Sequence, residues 1–141
     1  MSTSTVKVKQ GGGAIEYYSV TAVAGDDKDW PVTEMGKTKE ITEIDIDFSS
    51  GSDKKQTGYE KAILIFVMAE DGWTFTGDGI VPCNGGGDLE YKTSTYDGGV
   101  ALQVEITQSD ATERSLNFAF SGEFGGVGYK SSDPRFNSRR D

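Results

Sequence analysis

Apolar residues in this chain recur at every second position. No segment sustains the i, i+3, i+4, i+7 spacing of an amphipathic helix. That property restricts the chain to a β fold. The clearest case is residues 37–48, KTKEITEIDIDF. Side chains two apart on a strand share a face, so Ile44, Ile46 and Phe48 point one way and Glu43, Asp45 and Asp47 the other. Val6 and Val8 alternate with Lys7 and Lys9 in the same manner, and residues 89–96, 100–107 and 114–120 repeat the pattern. Residues 14–24 (AIEYYSVTAVA) and 62–69 (AILIFVMA) are apolar on both faces, as expected of central, buried strands. Asp71 and Gly72 supply a hairpin signal before WTFTG. Nineteen glycines suit a chain rich in turns, where backbone of positive φ is needed.

The expectation is an all-β fold: an antiparallel two-sheet β-sandwich, immunoglobulin-like or jelly-roll, of about eight strands with little or no helix. An all-β barrel is the alternative. At 141 residues the chain suits one domain with a two-layer core. Residues 1–130 are expected to form it, followed by a polar, partly basic tail over residues 131–141.

Charge narrows the partners. A formal net charge of −9 argues against nucleic acid, which is held largely by lysine and arginine on phosphates, and against anionic membrane surfaces. The absence of histidine removes the Ser–His–Asp and Cys–His arrangements, the HExxH zinc site and the commonest base near neutral pH. Cys83 is the single cysteine, so an internal disulfide and a closed zinc site both lack ligands. No catalytic residue, resident metal or cofactor is expected. The opening MSTSTVKVKQ has no apolar h-region, and the longest apolar run is too short to span a bilayer. These features point to a soluble, cytoplasmic protein.

Four segments carry candidate sites. In residues 42–53, TEIDIDFSSGSD, an EF-hand loop counted from Asp45 would need glycine at its sixth position and glutamate at its twelfth. Ser50 and Gln56 stand there, so a strand with an acidic face is the better reading. In residues 77–88, GDGIVPCNGGGD, a loop would let Asp78, Asn84 and Asp88 offer oxygens to a ligand or to calcium. Trp30, in DKDWPV, is set among acidic residues as a ring platform for a sugar would be; the competing role is a cap on the core. In the tail, Arg135, Arg139 and Arg140 could dock on the Glu43, Asp45 and Asp47 face of another copy. The glycine cluster GEFGGVG lacks the GxGxxG register and precedes no helix, so it is not a phosphate cradle.

Taken together, the residues suggest a non-enzymatic interaction or assembly module. It would self-associate as a homo-oligomer, or bind another protein, through sheet edges or the basic tail. The alternative is a carbohydrate-binding β-sandwich, with or without the assistance of calcium. A carboxylate-based hydrolase ranks third.

Overall fold

The computed structural model describes residues 3–9, 12–50, 60–108, 113–132 and 134–139. The alternation governs it. On strand β5 (Glu43–Ser50), Ile44, Ile46 and Phe48 are buried; on β9 (Ala101–Thr107), Leu102, Val104 and Ile106 are fully buried while their neighbours are half-exposed. Twelve strands among the described residues form two six-stranded sheets packed face to face.

Sheet A runs β1 (Thr3–Lys9), β5, β12 (Arg135–Arg139) and β10 (Arg114–Phe124). Strand β11 (Val127–Lys130) continues beside β10 beyond β12, and β7 (Trp73–Gly87) lines its other side. Sheet B runs β4 (Glu40–Ile41), β3 (Val32–Glu34), β2 (Gly13–Val20), β6 (Lys61–Met68), β9 and β8 (Glu90–Tyr96). The helical content of the described residues is one 3₁₀ turn, Asp97–Gly99. None of their helices is long and apolar enough to cross a membrane.

The sandwich stands, but its ladders are mixed rather than uniformly antiparallel. β1 pairs with β5, β5 with β12, and β2 with β6, all in parallel. The cause is a crossing made twice. The chain leaves sheet A after β1 and enters sheet B as β2; it leaves sheet A again after β5 and enters sheet B as β6. Two such crossings side by side force parallel pairing in both sheets. Period-two alternation is the same for either direction, so the sequence does not reveal it. The strand count exceeds eight because β3, β4, β11 and β12 span only two to five residues each.

The described residues of 131–141 do not form the separate tail expected. Arg135–Arg139 is a strand held between β5 and β10. Phe136 is fully buried and stacks on Phe118 at 4.2 Å, and Ser138 is buried and donates to Gln108. The break between β11 and β12 is bridged by Ser131. Its amide donates to the Phe120 carbonyl at 3.0 Å, and its Oγ accepts from the Phe120 amide at 2.8 Å.

Aromatic rings fill the space between the sheets. Phe66 of sheet B lies 5.2 Å from Phe120 of sheet A and 5.2 Å from Tyr18. Two glycines let β7 fit. A Cβ on Gly79, which has φ of 78°, would lie 2.5 Å from Leu102 Cδ1; one on Gly87 would collide with the Ser115 carbonyl.

Candidate interaction surfaces

The acidic strand is central rather than marginal. Glu43, Asp45 and Asp47 stand opposite Thr3, Thr5 and Lys7 on β1, and opposite Arg135, Asn137 and Arg139 on β12. Asn137 donates through Nδ2 to Glu43 Oε1. Opposite charges directly across neighbouring strands favour that pairing. The tail and acidic face predicted to meet between copies therefore lie side by side within one chain. The side chains of Arg135 and Arg139, and the whole of Arg140, lie outside the described residues.

Residues 77–88 do not form a ligand loop. Through Gly87 they belong to β7, which bulges twice against β10. Asp78 is exposed in the bulge opposite Ser121. Asp88 accepts from the Ser115 amide and pairs with Arg114 at 3.6 Å. Ser115 and Ser121 are about 20 Å apart along β10 at 3.3 Å per residue. Two oxygens on one calcium ion can stand no more than about 5 Å apart. The two carboxylates cannot share an ion. The Asn84 side chain lies outside the described residues. Among the described residues no group of three or more His, Cys, Asp or Glu is placed to hold a metal.

Trp30 is 5% exposed, so it offers no ring to a sugar. It stacks on Phe120, meets Trp73 edge-on at 5.4 Å, and donates from Nε1 to the Val23 carbonyl. Its place is the cap on the core.

A polar tie joins the two sheets at the β1 side. Buried Ser4 donates to Glu34 Oε1 at 2.6 Å and lies 3.0 Å from the Tyr18 hydroxyl. Lys37 pairs with Glu34 at 2.9 Å. Burial pushes the Tyr18 phenol up to about 12, while bonds from Lys37 and then Ser4 hold Glu34 below its ordinary value. Every polar atom here has a neighbour that satisfies it, which marks a structural tie.

The feature missed from sequence is the outer face of sheet B. Register places its outward residues in rows. Tyr17 stands beside Ile65, Ile65 beside Gln103, and Gln103 beside Ser94; Met35 joins the row by donating its amide to the Tyr17 carbonyl. The flanking rows are Ile15–Ile63–Glu105–Lys92 and Thr33–Ser19–Val67–Ala101–Tyr96. Ile15, Tyr17, Met35 and Tyr96 are 55%, 50%, 49% and 48% exposed. Ile63, Ile65 and Val67 are half-buried between them. Cross-strand neighbours lie about 5 Å apart, so these side chains form one continuous apolar surface rimmed by Lys92, Glu105 and Lys61. The signal was present in residues 14–24 and 62–69. Apolar character on both faces points to a central, buried strand, whereas only one face of these strands meets sheet A.

No protein-family model matches this chain, and no curated protein matches it.

Proposed function

We propose that the chain is a non-enzymatic interaction module and that it docks through the outer face of sheet B. The observation that carries this is the continuous apolar surface of Ile15, Tyr17, Met35, Ile63, Ile65 and Val67. Scattered exposed apolar residues are ordinary; a contiguous patch inside a polar rim marks a surface that meets another molecule. The chemistry of the chain agrees. With no histidine, the usual Ser–His and Cys–His pairs lack their base. The docking surface is thus a sheet face, in place of the edges or tail expected from sequence.

The test is a photo-activatable cross-linking residue placed at Tyr17 in living cells, with Thr5 on the outer face of sheet A as the control position. Discrete adducts from position 17 and none from position 5 are expected. Position 17 yielding no adducts would refute the reading.

A further inference from the structure

We propose that the occupant of this face is a second copy of the same chain, packed sheet B against sheet B about a two-fold axis. This rests on the reading above and names its partner.

Size is the first argument. The four central strands β3, β2, β6 and β9 at about 4.8 Å spacing, with strands about 20 Å long, present a footprint of about 400 Å² before side-chain relief is added. One side of a standard stable interface is about 800 Å² of accessible surface, so a copy of this face has the right scale to cover it.

Shape is the second. The apolar surface has an open half and a more covered half. Ile15 and Tyr17 of β2 are half exposed or more, while Ile63 and Ile65 of β6, in the same rows, are half-buried between their neighbours. A two-fold axis parallel to the strands, passing between β2 and β6, keeps each row level and exchanges the halves. Tyr17 then falls opposite the partner's Ile65, and Ile15 opposite the partner's Ile63. Such an isologous contact is closed, so it stops at two copies. Two sheets meeting in this way pack about 10 Å apart with their strands nearly aligned. Tyr17 supplies the kind of large, rigid aromatic anchor on which interfaces depend.

Charge sets the salt dependence. Each copy carries −9, so the copies repel while their apolar faces attract. Added salt screens the repulsion, and sulfate also strengthens apolar burial. Association should tighten with sulfate. Docking of arginines on an acidic strand would weaken with it.

Sedimentation equilibrium of the full chain, from micromolar to millimolar concentration, decides the matter. Twice the chain mass of 15.2 kDa is expected at high concentration. Tyr17→Asp and Ile65→Asp should each weaken association by about tenfold or more, while Thr5→Lys leaves it unchanged. A cooperative melt confirms that each variant is folded, and the exposed position of Tyr17 keeps the test available should Ile65→Asp fail to fold. A chain that stays monomeric throughout overturns the proposal, as does a dimer indifferent to Tyr17→Asp. Should the chain stay monomeric while the cross-linker at position 17 captures a protein of another mass, the interaction reading survives and the second copy does not.

Discussion

Tyr18 shows how one residue can join two sheets and set a pH limit. Its ring stacks on Phe66 in the core while its hydroxyl meets Ser4 from the opposite sheet. Its folded value of about 12 lies above the ordinary 10, so the folded state holds this proton more tightly. That contribution is complete below pH 10 and is lost as the pH rises toward 12. The loss amounts to about 2–3 kcal/mol. Tyr18→Phe should therefore flatten the alkaline limb of a stability–pH curve measured by denaturant titration, at a cost of about 1 kcal/mol near neutrality for the lost hydrogen bond. Glu34 acts with the opposite sign, its contribution being present above the ordinary carboxylate value and lost as pH falls through the lowered one. The faces of β5 should differ as sharply. Ile46→Ala removes fully buried methyl groups and should cost about 2–5 kcal/mol. Asp45→Ala, on the outer face, should stay within about 0.5 kcal/mol. Asp47, on the same face, is buried at 8% exposure, so equal melting shifts for the two would mean that Asp45 is packed as well.

The short strands carry more of sheet A than their length suggests. Removing β12 would leave β5 and β10 without a partner on their facing sides and would empty the place of Phe136 between Phe118 and Phe66. A chain ending at Lys130 should accordingly lose its cooperative thermal transition, not merely shed a tail. A sharp melt from that truncated chain would contradict the arrangement. This is also where the sequence was least legible. Long alternating runs announced β5, β9 and β10, because burial on one face dictates them, and an unbroken apolar run announced β6. β12 has a single large apolar residue, Phe136, and its other inward position is Ser138, so periodicity had nothing to register. Residues 77–88 read as a loop because Asp, Asn and Gly dominate turns, yet through Gly87 the glycines permit bulges and close approach to β10. With that segment extended, calcium has no shared site between Asp78 and Asp88. Millimolar calcium should leave the melting temperature nearly unchanged; bound at a hundredfold excess over Kd it would add about 2.7 kcal/mol.

Over the whole molecule, strands from both ends of the chain lie together: β5 sits between β1 and β12, so sheet A needs residues 3–9 and 135–139 at once. No composition or periodicity reveals such an order, because alternation fixes which face is buried and is silent on which strand lies alongside. The same silence hid the open face of sheet B, where strands apolar on both sides proved central in their sheet but covered on one side only. The order also has a kinetic consequence. Parallel pairs cannot be closed by a tight turn, and each requires a long loop to be ordered before its contacts form. Folding dominated by such pairings is slow, in the range of about milliseconds to seconds for sandwich-like domains. Stopped-flow refolding followed by fluorescence of the buried Trp30 and Trp73 should show its main phase in that range. The tryptophan signal should not recover when the chain ends at Lys130, since the ring cluster then lacks the strand that closes sheet A. Main-phase refolding within microseconds, or full recovery of fluorescence without β12, would show that the core assembles before the ends of the chain are brought together.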